Sequence, residues 1–260
     1  MEGSHEPRTV WVTGAATGMG ASHARRFASM GDRVGCWDVQ AGALDQLVEE
    51  IRASGGQAEG VVVDVSDWAE VDDGAARLRE TLGPASVVVA NAGIVLTGEH
   101  VEDLDPTEWR RVLDVNLTGA FHTAKAAIPQ LREAGDASLI LISSVCGLTT
   151  SPGYVAYNAS KHGVIGLMRT LANELGPHGI TVNAVCPGWV RTPMFDQSVE
   201  HDTGAGGDPD AFARMHLIER LIQPEEVTDA VVWLASPGAR MVTGVALPID
   251  GGLLQSREWP

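Results

Sequence analysis

The sequence of 260 residues predicts one α/β domain, in which a doubly wound, seven-stranded parallel sheet carries helices on both faces. Strand-like runs alternate with helical runs along the chain. Two of the strand-like runs, 87–89 and 139–142, are continuously apolar, as expected of central parallel strands that are covered on both faces. Hydrophobic residues make up 44% of the chain, which is sufficient for such a core.

The elements follow from local patterns. Asp105, Pro106 and Glu108 stand where a helix cap, a first-turn proline and a first-turn acid belong, and they begin a helix that continues to Leu131. A second long helix is expected over 154–175. The strands are expected near 8–13, 33–37, 59–63, 86–90, 138–143, 180–186 and 243–249.

The domain is expected to span residues 8–252, between a disordered N-terminal tail at 1–7 and a C-terminal tail at 253–260. After the sixth strand, residues 195–207 are rich in Gly, Asp and Ser. Asp208 and Pro209 then begin a helix that is predicted to reach Leu221. A long interruption at this place indicates a substrate lid over about 194–221.

A glycine-rich turn follows the first strand. The run from Thr13 to Gly20 reads Thr-Gly-Ala-Ala-Thr-Gly-Met-Gly, and a helical pattern comes next. In this arrangement the backbone N–H groups and the helix N-terminus bind a diphosphate. Gly14 permits the tight turn, while Gly18 and Gly20 allow close approach of the backbone. The sequence therefore predicts a Rossmann-like dinucleotide site.

Asp38 ends the second strand, about 20 residues beyond the glycines, where a carboxylate accepts hydrogen bonds from the adenosine ribose. A carboxylate there repels a 2′-phosphate, and no Arg or Lys follows between Val39 and Ile51. The expected cofactor is NAD rather than NADP.

Tyr157 and Lys161 lie four residues apart, so in a helix their side chains share a face. A nearby cation favours the phenolate and is expected to lower the pKa of Tyr157 below its ordinary value of about 10. Such a pair can exchange a proton with an alcohol or an alkoxide. Asn116 falls in the apolar face of the first long helix, where its amide must find partners.

With these features the chain resembles the short-chain dehydrogenase/reductase family from Arg8 to Gly252. The spacing from Ser144 to Tyr157 is also usual in that family. Ala90 departs from the family pattern, which commonly has Asn there, and we expect a local effect on hydrogen bonding. The motifs that carry the resemblance are, in order, 13–20, Asp64-Val65, Asn91-Ala92-Gly93, Asn116, Ser144, Tyr157, Lys161 and Pro187-Gly188-Trp189-Val190-Arg191-Thr192.

The resemblance implies residue roles. Tyr157 would be the general base for alcohol oxidation and the general acid for carbonyl reduction, and Lys161 would also bind the nicotinamide ribose. Ser144 would donate to the substrate oxygen, and Asn116 would support a proton relay. The implied cofactor-binding residues are Gly14, Thr17, Gly18, Met19, Gly20, Asp38, Asp64, Val65, Asn91, Ala92, Gly93, Tyr157, Lys161, Pro187, Gly188, Val190 and Thr192.

The expected substrate is a neutral, fairly bulky secondary alcohol or ketone. The 3-hydroxybutyrate dehydrogenases of the family hold a carboxylate with Gln, His and Lys, and the matching positions here are Ile94, Cys146 and Tyr154. The other candidate lining residues are also largely apolar, although Ile94 and Leu148 are equally compatible with core packing. The candidates are Ser144, Cys146, Leu148, Tyr154, Trp189, Met194 and Phe195, with Ile94 and Val95 beside them.

Other functions remain open. Polyketide or 3-oxoacyl ketoreductases resemble the chain near Cys186–Gln197, and carveol-type dehydrogenases resemble it from Tyr157 through Met194. The ketoreductases generally use NADPH and an acidic carrier protein, which Asp38 and the acidic chain disfavour. A catalytically silent NAD-binding protein is disfavoured by the presence of both Tyr157 and Lys161. A sugar epimerase or dehydratase is disfavoured by the glycine spacing.

The net charge of −16 argues against nucleic acid and anionic membranes as partners. No apolar run reaches the ~18 residues that span a bilayer. Cys36, Cys146 and Cys186 are too few and too scattered for a disulfide framework or a metal site, and they fit the cytoplasm. The two long helices carry excess apolar residues, with Val164, Leu167 and Met168 as candidates. The family resemblance implies that these helices pair across a two-fold axis, so we expect a homotetramer or at least a dimer.

Overall fold

The computed structural model describes residues 7–96, 100–201 and 208–256. Its seven strands form one parallel sheet in the order β3-β2-β1-β4-β5-β6-β7, which confirms the predicted fold class. The strands are β1 Thr9–Thr13, β2 Arg33–Asp38, β3 Gln57–Val62, β4 Val87–Ala90, β5 Ala137–Ile142, β6 Ile180–Pro187 and β7 Ala246–Ile249.

Helices cover both faces of this sheet. One core contains the apolar sides of α1, α2 and α9, and the opposite core contains those of α3, α5 and α6. The helices are α1 Gly18–Ser29, α2 Ala41–Ala53, α3 Trp68–Leu82, α4 Pro106–Leu113, α5 Gly119–Ala134, α6 Val155–Leu175, α7 Pro193–His201, α8 Pro209–Met215 and α9 Pro224–Leu234.

The order of the strands places the site. β1 pairs with β2 on one side and with β4 on the other, so the two halves of the sheet meet between β1 and β4, and the chain crosses from one half to the other between β3 and β4. In open parallel sheets the crevice beyond the carboxyl ends of the strands at this switch point binds ligands. The glycine turn after β1, Asp38 at the end of β2 and Asn91 after β4 all lie at this edge.

Three elements differ from their prediction. The helix predicted over 105–131 is interrupted by a π-helical turn, Asp114–Thr118. The last strand begins at Ala246 rather than at 243, and Gly244 before it has φ +74°. The helix predicted to reach Leu221 ends at Met215, because His216 takes an extended conformation.

The termini differ as well. Residues 253–255, predicted to belong to a C-terminal tail, form a 3-10 turn in which Leu253 is buried against Val145 and Cys146. Of the predicted N-terminal tail, residues 1–6 lie outside the described residues, as do residues 202–207 of the predicted lid. Within the described ranges, no helix is long and apolar enough to cross a membrane.

Candidate active site

The glycine turn leaves no room for side chains. Gly14 and Gly18 have φ +62° and +55°, in the left-handed region where side chains are strained. A Cβ at Gly14 would lie 2.8 Å from Cα of Ala92, and one at Gly20 would overlap the carbonyl oxygen of Gly14. Glycine at these positions therefore lets the turn pack on itself and on the segment after β4, and Gly14, Gly18 and Gly20 all line a groove at the N-terminus of α1.

Asn91 fastens the turn to the end of β4. Its Nδ2 donates to the carbonyl oxygens of Thr13 at 2.9 Å and Gly14 at 3.1 Å. The hydroxyl of Thr13 accepts from the N–H groups of Asn91 and Ala92, both at 3.0 Å. Side chains next to the crevice thus fix the backbone that the ligand would meet.

Asp38 is 7% exposed and lines the groove that begins at the glycine turn. Its two oxygens accept hydrogen bonds from the N–H groups of Ala16 and Gln40, each at 2.9 Å. A carboxylate can accept about four hydrogen bonds, so each oxygen retains capacity for a ribose hydroxyl. The geometry fits the adenosine end of a dinucleotide.

The groove collects most of the predicted cofactor residues. It is lined by Gly14, Thr17, Gly18, Met19, Gly20, Asp38, Asp64, Val65, Asn91, Ala92, Gly93 and Thr192. It also contains Val39, Gln40, Val63, Ile94, Arg111, Val115, Pro193 and Met194, of which Ile94 and Met194 were predicted to line the substrate site. Arg111 and Val115 come from the long helix, and no sequence pattern marked them. A groove that contains the glycine turn, the buried carboxylate of Asp38 beside that turn, and Thr192 fits a nicotinamide dinucleotide.

Asn116 lies in the π-helical turn and is 1% exposed. Its Oδ1 accepts from the N–H of Ile94 at 2.8 Å, and its Nδ2 donates to the carbonyl of Ile94 at 2.9 Å and to Oγ of Ser160 at 3.0 Å. π-Helical turns of this kind occur frequently at functional sites. The side chain of Asn116 thus joins the segment after β4 to α6.

Ser144, Tyr157 and Lys161 meet where β5 ends and α6 begins. Nζ of Lys161 donates to the carbonyl of Ile142 at 2.9 Å and lies 5.5 Å from the centre of the Tyr157 ring. Oγ of Ser144 accepts from the N–H of Cys146 at 3.1 Å, and its interaction with the phenol of Tyr157 acts to lower the pKa of that phenol. The structure brings these three predicted residues together.

The predicted lowering of the pKa of Tyr157 is not found. Burial raises this pKa above its ordinary value, because a phenolate there loses hydration, and the hydrogen bond with Ser144 opposes the effect only in part. Burial also lowers the pKa of Lys161 to about 8. Burial therefore determines the direction in which the pKa of each group moves, and Tyr157 keeps its proton at neutral pH.

A second cavity adjoins the groove and encloses about 610 Å³, its open mouth included. It is lined by the predicted substrate residues Ser144, Cys146, Tyr154, Trp189, Met194 and Phe195, by Tyr157, and by Met19, Val95, Ser143, Val145, Pro187, Gly188, Val190, Thr192 and Ser198. Leu148, by contrast, is 37% exposed and does not line this cavity.

Aromatic rings form one wall of this cavity. The ring of Trp189 lies edge-on to Phe212 at 4.7 Å, to Phe195 at 6.1 Å and to Tyr154 at 6.4 Å between centroids. Phe212, on α8, is 1% exposed. The sequence did not mark it as a site residue, because it meets Trp189 only in the folded chain.

The comparisons with known proteins agree with this geometry. The family model described as enoyl-(acyl carrier protein) reductase matches residues 14–254. The chain belongs to the short-chain dehydrogenase/reductase family. A (-)-trans-carveol dehydrogenase of Rhodococcus erythropolis is 35% identical, over 95% of this chain and 97% of its own length.

Two further relatives match nearly the whole length of this chain. An uncharacterized NAD-dependent oxidoreductase of Mycobacterium tuberculosis (strain ATCC 25618 / H37Rv) is 36% identical, over 97% of this chain and 98% of its own length. The crystal structure of a variant actinorhodin polyketide ketoreductase with NADPH superposes with a TM-score of 0.91 at 36% identity, over 95% of this chain and 97% of that one.

Ala90 replaces the Asn that is common in this family of dehydrogenases and reductases. It is 5% exposed at the end of β4, and the next residue, Asn91, makes the hydrogen bonds to Thr13 and Gly14. The local change therefore leaves the glycine turn fastened. Across the described ranges, no three His, Cys, Asp or Glu side chains gather as metal ligands would.

Proposed function

We propose that this protein is an NAD-dependent oxidoreductase that interconverts a neutral, fairly bulky secondary alcohol and its ketone, with Tyr157 as the acid and base. One observation carries the proposal: Ser144, Tyr157 and Lys161 meet between an apolar, aromatic cavity and a groove shaped for a dinucleotide. NAD, when bound, accepts or returns the hydride of this reaction.

The residues supply the proton and the polar field. During ketone reduction, Tyr157 gives its phenol proton to the developing alkoxide, while the hydroxyl of Ser144 donates to the same oxygen. During oxidation, the phenolate form of Tyr157 takes the proton of the substrate hydroxyl. The raised pKa of Tyr157 favours the acid role at neutral pH. Lys161, held at Ile142, places a cation beside the phenol and next to Gly93, where the ribose end of the dinucleotide would lie.

NAD is proposed over NADP because Asp38 is a buried carboxylate at the adenosine end of the groove. Placing a 2′-phosphate beside it would bring two negative charges together in a partly desolvated site. The relative from Mycobacterium tuberculosis, which is named as NAD-dependent, supports this choice. Arg111 lines the same groove from α4 but is exposed, so it compensates a 2′-phosphate only weakly.

The substrate class follows from the cavity wall. Its aromatic and apolar side chains offer contact area for a ring or a branched chain and no cation for a carboxylate. The carveol dehydrogenase that resembles this chain acts, by its name, on a cyclic secondary alcohol. A second candidate is a polyketide or 3-oxoacyl ketoreductase, favoured by the similarity to the actinorhodin enzyme.

The test is a substrate panel with purified protein. Cyclic and branched secondary alcohols, 3-hydroxybutyrate and an acyl thioester of a 3-hydroxy acid are each offered with NAD and with NADP, and nicotinamide reduction is followed by absorbance. The proposal expects turnover of cyclic alcohols with NAD. Preference for the thioester with NADP would favour the ketoreductase, and no turnover of any compound would contradict both.

We also propose a cytoplasmic homotetramer, or at least a dimer. Val164 and Met168, which the sequence suggested as interface residues, are 1% and 0% exposed within one chain and offer no free surface for an interface. Phe121 on α5 supports the proposal instead, since its ring is 46% exposed, and Leu167 on α6 is partly buried. Cys36, Cys146 and Cys186 are free and buried, in keeping with a reducing compartment. A monomeric mass by light scattering at micromolar concentration would contradict the assembly.

A further inference from the structure

His216 connects the lid to the wall of the substrate cavity. It follows α8 directly and is 1% exposed. Its Nδ1 lies 2.7 Å from the carbonyl oxygen of Arg220, and its Nε2 lies 3.1 Å from the backbone nitrogen of Trp189. A carbonyl only accepts, so Nδ1 carries the proton and Nε2 accepts from the N–H of Trp189.

The same stretch of chain holds Trp189 from its other side. The N–H of Ile222 donates to the carbonyl of Trp189 at 3.0 Å, and the N–H of Arg191 donates to the carbonyl of Ile222 at 2.9 Å. Val190 and Ile222 thereby form a short parallel bridge. The segment from His216 to Ile222 thus positions residues 189–191, and the side chain of His216 supplies one of these bonds.

The imidazole fits a space that the backbone leaves for it. A Cβ at Gly188 would lie 2.8 Å from Nε2 of His216, and a Cβ at Gly251 would lie 3.2 Å from its Cβ. Both glycines stand next to the segments that His216 joins, after β6 and after β7. The ring is therefore confined on both sides, and it holds the main chain of Trp189 at a fixed distance from the lid.

We propose that His216 is a positioning residue, which sets the substrate selectivity of the cavity by fixing the main chain of Trp189. The proposal rests on the proposed function, since Trp189 matters here as the aromatic wall beside the alcohol. Trp189 contacts Tyr154, Phe195 and Phe212 through its ring. A shift of its backbone would therefore move the whole wall while leaving Ser144, Tyr157 and Lys161 in place.

The bond works only with a neutral imidazole. Burial lowers the pKa of His216 below its ordinary value; the carbonyl of Arg220 and the carboxylate of Asp250 act in the opposite direction, and the guanidinium of Arg220 acts with burial. That guanidinium is itself paired with Glu226 at 2.6 Å. Once His216 is protonated, Nε2–H faces the N–H of Trp189 and the bond is lost. Substrate binding should therefore weaken at acidic pH.

Two variants distinguish the roles of the two ring nitrogens of His216. His216→Gln can present a carbonyl oxygen where Nε2 stood, whereas His216→Asn can keep a donor near the position of Nδ1 but is too short to reach Trp189. His23→Gln is the matched control, because His23 is also fully buried but lies between α1 and α9. The readouts are hydrogen exchange of the Trp189 amide by NMR and the KM and kcat for the best secondary alcohol.

For His216→Asn we expect exchange of the Trp189 amide to accelerate by about tenfold or more, and KM to rise by about tenfold with kcat within threefold of the parent, the scale of one lost buried hydrogen bond. His216→Gln should recover most of both and should lose the acidic rise in KM that the parent and His23→Gln show. Parental exchange and KM in a folded His216→Asn protein would overturn the proposal, as would an acidic rise in KM that persists in His216→Gln. If no alcohol is turned over, the proposed function fails, while the exchange rates still decide whether His216 holds Trp189.

Discussion

The dinucleotide groove and the substrate cavity are adjacent but are built differently. At the glycine turn the groove is made from main chain and small residues, with Gly14 and Gly20 too crowded for any side chain and Asn91 fastening the turn. The cavity is made from large side chains, such as Trp189 and Phe195, that come from the segment after β6 and from the lid. Backbone geometry defines the first site, and side-chain packing defines the second.

The difference has a consequence for mutations. A change in the groove should affect every substrate equally, because each substrate needs the same dinucleotide. A change in the cavity wall should alter the ranking of substrates while dinucleotide affinity is retained. The proton-transfer group, Tyr157, lies between the two regions and should affect kcat without much change in either affinity.

Tyr157→Phe should have the largest effect. The substitution keeps the ring but removes the hydroxyl that exchanges the proton, so kcat should fall by ~10²–10⁴ while NAD still binds. Steady-state kinetics and calorimetric titration with NAD measure the two properties. Tyr154→Phe removes the other phenol of the same cavity and should lose less than tenfold. Near-parental turnover of Tyr157→Phe, in a preparation free of contaminating dehydrogenase, would exclude the mechanism.

Two neighbours sharpen that result. Lys161→Ala should damage both turnover and NAD affinity, because it removes the buried cation beside the phenol and the group expected at the ribose. Ser144→Ala should lower kcat/KM chiefly through the transition state, when charge builds on the substrate oxygen. A loss of NAD affinity in Ser144→Ala as large as in Lys161→Ala would show that the two roles are assigned wrongly.

Asp38 should control the choice of dinucleotide. The parent should prefer NAD over NADP by at least about tenfold in kcat/KM, or ~1.4 kcal/mol. The double substitution Asp38→Ala with Val39→Arg should narrow or reverse this preference, since Val39 is exposed at the same end of the groove. Asp45→Ala, which removes an exposed carboxylate of α2, is the control for net charge. Equal use of both dinucleotides by the parent would contradict the assignment.

Trp189→Ala should separate the two regions directly. The substitution removes the ring that packs against Tyr154, Phe195 and Phe212, so KM for cyclic alcohols should rise by about tenfold, the scale of 1–3 kcal/mol for apolar contact in a pocket. The dissociation constant of NAD should stay within about threefold, because Trp189 does not line the groove. If NAD affinity falls as steeply as substrate affinity, the two regions are not independent.

The last effect concerns stability in acid rather than activity. Burial lowers the pKa of His23 to about 3, so between pH 6.5 and 3 the unfolded chain binds a proton that the folded chain does not. The free energy of unfolding should therefore decrease as the pH is lowered through this window, by up to about 1.4 kcal/mol per pH unit. Denaturant titrations of His23→Gln should show a shallower fall, and His178→Gln, at an exposed site, should match the parent.

The comparison also explains what the sequence could predict. The glycine turn, Asp38, Asn91 and the Tyr157–Lys161 pair are local patterns whose chemistry depends on short spacings, and the structure places each of them at the carboxyl edge of the sheet. The parallel sheet with helices on both faces follows from the alternation of apolar strands and helices.

The rest depends on packing between distant segments. The fold brings Phe212 and His216 into contact with Trp189, which follows β6. Likewise, the fold brings Arg111 of α4 to the dinucleotide groove. Leu148 has a suitable apolar side chain but is 37% exposed and does not line the cavity. The pKa of Tyr157 was predicted from its charged neighbour alone, whereas burial, which has no sequence pattern, determines its direction.

The most direct test of the account follows the hydride itself. The parent enzyme is incubated with NAD and a cyclic secondary alcohol that carries deuterium on its carbinol carbon, and the nicotinamide product is analysed by NMR and mass spectrometry. The account predicts one deuterium at C4 of the nicotinamide per ketone formed, on one face, with Tyr157→Phe slower by ~10²–10⁴. Ketone formed without deuterium in the nicotinamide, or transfer at the parental rate in Tyr157→Phe, would contradict it.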